Sequence, residues 1–365
     1  VIFKAHPGHP GTSELVAKAI LRAIKNCGLD DGIFSLLHAD NEGAKKLVSH
    51  DDVKAVSFTG SREVGLKLKR VCETRDVPIP FFGELGSINP QWIFHDILFS
   101  EDSILNVVSK LAEAMTLGQG QFCTKPGVIV LPPTGGDEKI KAGLDFFKKE
   151  FIEKLKEYKA TTMLSLEVYY KYVRSLEEIL VGFDLDILYQ SKSIDGDNIP
   201  LITLAHIKAK EYLRDQFYQK EVFGPFAFFV QCESLEEWQN MLKSFKGELT
   251  ASLWSEDFKK IDSSQSSFDF FANTLDILRT KVGRVILNGA PTGVWPCDAM
   301  IHGGPYPAST EPGHTSVGTL GLKRFLRPEC FQNMPDSHLP LPLQNANPLK
   351  IIRSIDGKWG QRSVQ

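Results

Sequence analysis

The chain has 365 residues, 42% of them hydrophobic, and 42 Lys and Arg against 45 Asp and Glu give a formal charge of −3. That length predicts about two domains with a core that needs no staples, and the near-neutral charge excludes a basic nucleic-acid binder or a polybasic membrane-surface protein. Six cysteines without a Cys-x-x-Cys pair point to reduced thiols and a cytoplasmic setting. No apolar run approaches the roughly 18 residues of a membrane helix, and the start does not read as a signal peptide.

In chain order, Val1 to Ala5 reads as a strand already in progress, and residue 1 is not Met, so sequence upstream is expected. Gly11 to Cys27 reads as a helix, with Thr12 or Ser13 able to cap its start and Gly28 its end. Ile33–Leu37 is a strand, Asn41–His50 a helix and Val53–Phe58 a strand. Ser61 caps a helix carrying Val64, Leu68 and Val71, and Ile79–Leu85 is a strand. Strand and helix in turn predict a doubly wound α/β sheet of the dinucleotide-binding kind. Beyond Pro90, Asp102–Leu117 and Asp137–Tyr158 read as helices, and Ser191 to Asn198 as a polar loop. Val128–Leu131, Ala227–Gln231, Thr250–Trp254 and Val285–Asn288 read as strands. Residues 290–318 read as a long ordered Gly- and Pro-containing loop of the kind that lines a site. The last forty residues read as Pro-rich and extended.

Four segments carry candidate chemistry. Phe58-Thr59-Gly60-Ser61-Arg62-Glu63-Val64-Gly65 follows a strand and opens a helix, so it offers free N–H groups to an anion, or is simply a well-capped helix. Gly118-Gln119-Gly120-Gln121-Phe122-Cys123 sets a cysteine after a glycine-rich turn. It is either a nucleophile or a buried small apolar residue. Glu84, in Gly83-Glu84-Leu85-Gly86, ends an apolar strand, where a carboxylate is paired structurally or tuned as a base. Glu221-Val222-Phe223-Gly224-Pro225 sets a second acid beside an aromatic and a Gly-Pro turn.

Together, and in this order, these segments resemble the aldehyde dehydrogenase superfamily. Cys123 stands 39 residues after Glu84, and Glu221 stands 98 after Cys123. Lys4-Ala5-His6-Pro7, Gly120 to Thr124, Pro291 to Pro307 and Arg324 to Pro328 look like the branch of 2-oxoglutarate semialdehyde (2,5-dioxovalerate) dehydrogenases and NADP-dependent fatty aldehyde dehydrogenases.

The resemblance implies a partial dinucleotide-binding domain over 1–86, a catalytic domain over 87–318, and a C-terminal tail over 319–365 that packs back on the core. It implies Cys123 as the nucleophile, forming a thiohemiacetal and then a thioacyl enzyme, and Glu84 as the base that activates water. Cofactor contacts fall on Lys4, Gly60, Ser61, Arg62, Gly65, Leu85, Glu221 and Phe223. His302, in the Gly- and Pro-containing loop, is either a substrate-loop residue facing the nucleophile or a structural loop histidine. Pro7 stands where NAD-preferring relatives often carry Glu, so a 2′-phosphate meets no like charge and Lys4 and Arg62 can pair with it. NADP is therefore expected, with NAD as the alternative. The substrate is a small aldehyde, an oxo-acid semialdehyde, and a complete protein would be a homo-oligomer. No metal site is expected, since His6 and His9 have no third ligand in reach.

Three departures stand out. Ser87 replaces the usual second Gly. Lys125 replaces Asn, its ammonium either favouring a thiolate or an anionic substrate or pointing to water. The segment bearing the family's oxyanion-hole Asn lies before the equivalent of Lys4, so this chain alone is expected to be poorly active. Two other readings use the same residues: a non-catalytic homologue acting as an assembly partner, and a cofactor-free cysteine hydrolase.

Overall fold

The computed structural model describes residues 1–181, 185–256 and 265–364, in two compact units, Val1–Gly321 and Leu322–Gln365. The first unit begins as the alternation predicts. Strand β1 (Ile2–Lys4), helix α1 (Pro10–Asn26), β2 (Ser35–Leu37), α2 (Asn41–Ser49), β3 (Val56–Thr59), α3 (Arg62–Glu73) and β4 (Phe81–Glu84) follow in turn. All four strands run parallel, but as two separate pairs, β1 with β2 and β3 with β4. The second pair packs Val56, Phe58 and Phe81 against Val48, Leu68, Val71 and Cys72 from α2 and α3.

The larger part is a seven-stranded sheet in the order β11-β10-β5-β6-β9-β8-β7. Its strands are β5 (Gln91–Ile93), β6 (Val128–Leu131), β7 (Leu185–Gln190), β8 (Thr203–Lys208), β9 (Phe226–Gln231), β10 (Glu248–Trp254) and β11 (Val282–Leu287). Only the β7–β8 pairing is antiparallel. β6, β9 and β10 read as near-continuous apolar runs because a mostly parallel sheet is covered on both faces. One face sends Ile93, Ile129, Leu131 and Phe229 into α4 (Glu101–Thr116) and α5 (Glu138–Glu157). The other sends Trp92, Val130, Phe228 and Leu253 into α6 (Leu166–Leu180), α7 (Ala209–Arg214), α8 (Leu235–Ser244) and α9 (Gln265–Leu278). On α5 the residues Leu144, Phe147, Phe151 and Leu155 recur at helical spacing and are all buried. Phe147 and Phe151 close on Phe229 with ring centroids 5.7 and 5.0 Å away, and deleting one such ring costs about 3–5 kcal/mol. No helix among the described residues is long and apolar enough to cross a membrane.

Several boundaries move. Helix α1 starts at Pro10 with His9 as its N-cap residue, so neither Thr12 nor Ser13 caps it; Pro at the first position needs no N–H partner. Its apolar residues do not share one covered face: Ala17 and Ile24 are buried while Leu15 is 70% exposed. Ser61 holds the N-cap position of α3, but its side chain makes no capping bond. Residues 288–318 form the long loop expected, without helix or strand among the described residues.

One buried network ties β10 to the turn after β4. Glu248 is 2% exposed, and its Oε2 accepts from Ile88 N–H at 2.5 Å and lies 2.8 Å from Ser87 Oγ. Ser87 Oγ also lies 2.9 Å from Asn89 Oδ1 and accepts from Leu249 N–H. A single hydroxyl proton cannot serve two oxygen acceptors, so a protonated Glu248 donating to Ser87, which donates to Asn89, satisfies the count. Burial agrees, pushing the Glu248 carboxyl up to about 7. The folded form then holds a proton that the unfolded chain releases near pH 4.3. Stability therefore falls as pH rises from that value through 7. Glu248→Gln, whose amide keeps both donor and acceptor, is expected to raise Tm at pH 8 and leave it nearly unchanged at pH 5. Equal shifts at both pH values in thermal denaturation would contradict the assignment.

Candidate active site

Cys123 is placed by close backbone packing. Helix α4 ends at Thr116, and the next turn runs through left-handed Gly118, Gln119 and Gly120, with φ of 56°, 59° and 65°. A Cβ on Gly120 would collide with the backbone of Gly224, so glycine there lets the cysteine segment lie directly on the Glu221–Pro225 segment. The far side of the turn hangs on Asn89, which is fully buried. Its Nδ2 donates to Cys123 O at 2.9 Å and Lys125 O at 3.0 Å, and its Oδ1 accepts from Thr250 Oγ1 at 2.9 Å. Asn89 itself sits at φ 54°, a region Asn tolerates better than most residues.

Glu84 is the last residue of β4. The loop 302–316 is stitched along that strand. Thr310 N–H donates to Gly83 O, Gly83 N–H to Thr310 Oγ1, Leu85 N–H to Ala308 O, and Glu84 forms a bridge with Ser309. Within the loop, His302 N–H donates to Thr315 Oγ1 and Ser316 N–H to His302 O, both at 2.8 Å. The loop has little freedom, and His302 arrives at Glu84 although 218 positions separate them.

Three groups consequently meet. His302 Nε2 lies 3.2 Å from Cys123 Sγ and 3.3 Å from Glu84 Oε1, while Ser316 Oγ–H donates to Glu84 Oε2. Glu84 and His302 are 6% and 4% exposed and Cys123 is half-buried. Burial would raise the Glu84 carboxyl, but hydrogen bonds from His302, Ser316 and Cys123, with the His302 charge, hold it below the ordinary value. The thiol moves the opposite way. Burial first, then the Glu84 charge and the hydrogen bond to it, push Cys123 up to about 12. Cys123 therefore rests as S–H beside a Glu84 carboxylate, with His302 Nε2–H within reach of both.

The cofactor candidates fall on several elements. Gly60 follows β3, Ser61 precedes α3, and Arg62 is the first residue of α3. Because Ser61 makes no cap bond, the first-turn N–H groups of α3 are open to an anion. Gly65 is buried and packs on Leu85. Lys4 ends β1, with Nζ donating to Ala5 O at 3.1 Å. Glu221 is half-buried as a residue, but its carboxylate turns inward, with Oε2 in the space a Cβ on Gly86 would need. Burial raises the Glu221 carboxyl, while the charges of Lys125 and Arg62 and the Ser87 N–H pull it back. Phe223 is exposed. Arg62, the first residue of α3, lies within electrostatic reach of Glu221, so a helix terminus open to an anion and an inward acid stand near one another.

Lys125 corrects the reading of its sequence. It is 3% exposed, and Nζ donates to Phe226 O at 2.8 Å, so it neither points to water nor faces the sulfur's partners. Burial lowers its ammonium while the Glu221 charge supports it.

Comparison with known proteins decides the family. A profile of the "Aldehyde dehydrogenase family" matches residues 1–275. The chain belongs to the aldehyde dehydrogenase family. It is 38% identical over 361 residues to alpha-ketoglutaric semialdehyde dehydrogenase 2 of Azospirillum brasilense, covering 98% of this chain and 65% of that protein. Alpha-ketoglutaric semialdehyde dehydrogenase of Acinetobacter baylyi is 35% identical over 360 residues, with the same coverage. The chain thus spans about two thirds of the length of the curated relatives it matches. Among solved structures, methylmalonate-semialdehyde dehydrogenase from Oceanimonas doudoroffii superposes with a TM-score of 0.68 at 17% identity, covering 89% of this chain and 62% of that one. Succinic semialdehyde dehydrogenase from Streptococcus pyogenes gives 0.67 at 16%, with 89% and 65% covered.

Some residues of this site escape a sequence reading. Ser316 lies inside the flagged loop, but nothing in a lone serine marks it as the partner of Glu84. Glu248 is a carboxylate at the head of an apolar strand, and that contrast is the signal that would have found it. Arg284 on β11 donates to Pro291 O at 2.7 Å, and its buried Nε has no partner. Asn89→Ala, which strands two buried carbonyls, is expected to destabilise the protein by at least about 2 kcal/mol. It should also slow Cys123 chemistry more than denaturation accounts for. Unchanged stability in urea titration would contradict the role given to Asn89.

Proposed function

We propose that this chain carries the cysteine centre of an NAD(P)-dependent enzyme that oxidises an aldehyde, an oxo-acid semialdehyde, to a carboxylic acid. The observation that carries the proposal is the contact of Cys123 Sγ, His302 Nε2 and Glu84. As an aldehyde carbonyl approaches, the S–H proton passes to the Glu84 carboxylate and sulfur bonds to the carbonyl carbon. His302 Nε2–H, 3.2 Å from Sγ, supports the developing thiolate, and the Cys123 N–H is a donor for the carbonyl oxygen. When bound, the dinucleotide supplies the hydride acceptor that turns the thiohemiacetal into a thioester. Glu84, once it has released its proton, takes one from the water that attacks the thioester, and Cys123 regains its proton as the acid leaves.

For the dinucleotide, the α3 N-terminus with Gly60 and Ser61 would take the pyrophosphate, Glu221 the nicotinamide ribose with Phe223 beside it, and Lys4 the adenosine ribose. NADP is the preferred form. Pro7 brings no carboxylate to the 2′-position, and Lys4 and Arg62 supply cations. The Streptococcus pyogenes structure holds NADP+ as its cofactor. For the substrate, the two semialdehyde dehydrogenase relatives support an oxo-acid. Arg284 is within electrostatic reach of Cys123, and its guanidinium supplies a cation toward a substrate carboxylate.

Mixing the protein carrying this chain with NADP and 2-oxoglutarate semialdehyde is expected to give a first-turnover burst of NADPH. Cys123→Ala should abolish the burst, and Glu84→Gln should slow it by about 10²–10⁴-fold. Arg284→Gln should raise KM for the semialdehyde about tenfold or more and leave that for a neutral aldehyde unchanged. A burst that survives Cys123→Ala, or no burst with either dinucleotide, would overturn the proposal.

A further inference from the structure

We propose that Cys123, His302 and Glu84 also form a reversible binding site for a borderline-soft divalent cation, Zn²⁺ foremost, whose capture silences the nucleophile. Their ligand atoms all lie within 4.8 Å of one another, and no other group of three or more His, Cys, Asp or Glu among the described residues does so. Zinc bonds of roughly 2.0–2.3 Å to N, O and S in tetrahedral array require ligand atoms about 3.3–3.6 Å apart. The Sγ–Nε2 and Nε2–Oε1 separations are 3.2 and 3.3 Å, and all three ligand atoms lie within 4.8 Å of one another, so an ion is accommodated once the thiol and the carboxylate close on it around His302.

The donor set also fits. One thiolate, one imidazole and one carboxylate make three protein ligands and leave a fourth position open, as in catalytic zinc sites. Outer partners hold two of the three ligands. Ser316 occupies Glu84 Oε2 and leaves Oε1 toward His302, and Thr315 and Ser316 fix the His302 backbone. Such partners orient ligands and raise affinity. The step balances without any redox change. The S–H proton leaves to solvent, the imidazole proton moves to Nδ1, and Sγ, Nε2 and Oε1 each donate an electron pair to the cation. The sulfur pair that would attack a carbonyl is then committed to the metal.

Cobalt gives a readout that needs neither aldehyde nor dinucleotide, so this proposal and the oxidation reading fail separately. Titrating the reduced, metal-free protein with Co²⁺ is expected to produce a near-ultraviolet thiolate-to-cobalt band that saturates at one ion per chain and is displaced by Zn²⁺. The band should be absent in Cys123→Ser. It should persist when the exposed Cys27, Cys297 and Cys330 are all changed to Ser. His302→Gln should weaken binding by at least about tenfold, the scale on which even outer partners act. In the unaltered protein, where folding is not in question, Zn²⁺ should protect Cys123 from iodoacetamide, read by peptide mass, and a chelator should restore labelling. A band that survives Cys123→Ser, a band lost with the three exposed cysteines, or no protection of Cys123 would overturn the proposal.

Discussion

The site depends on one shared acceptor. Glu84 takes hydrogen bonds from Ser316, His302 and Cys123 within a pocket that excludes most water. Three donors keep the carboxylate charged despite burial, and burial together with that charge keeps the thiol protonated. Base and nucleophile therefore stand side by side, and attack needs a proton shift between them rather than a standing thiolate. A permanently ionised cysteine in the same place would be exposed to oxidation and stray alkylation.

Everything that positions Glu84 follows from how β4 is used. Its inner edge pairs with β3, and its end is bound by the loop 302–316 through Thr310, Ala308 and Ser309. The turn that follows carries Ser87, Ile88 and Asn89, which lock onto Glu248 and Thr250 of β10. Asn89 then holds the Cys123 and Lys125 carbonyls. A short run from Phe81 to Asn89 thus sets the base, the nucleophile's backbone and the junction with the large sheet.

Local signals made part of this legible. The strand-turn-helix around Gly60 and Ser61, the glycine turn before Cys123 and the Gly-Pro turn after Glu221 are written in neighbouring residues, and their order carried the family resemblance. The β6, β9 and β10 strands were legible because continuous apolar runs mark covered parallel strands. Other features rest on tertiary contacts that spacing does not encode. β7 and β8 alternate too weakly to stand out, and α1 begins at a proline ahead of the residues with the best capping side chains. Lys125 is buried by a single carbonyl from Phe226 and by Glu221, against the usual preference of lysine for water. His302 reaches Cys123 only because the loop bearing it is hydrogen-bonded along β4, so its role was visible as a loop position but not as a contact.

The most direct test is the pH dependence of Cys123 alkylation by iodoacetamide, followed by peptide mass in the wild type and in Glu84→Gln. The account predicts a wild-type midpoint well above that of an ordinary thiol, in the direction of 12, and a lower midpoint once the Glu84 charge is removed. A wild-type midpoint below about 8.5, the value of a free cysteine, or one that Glu84→Gln leaves in place, would contradict it.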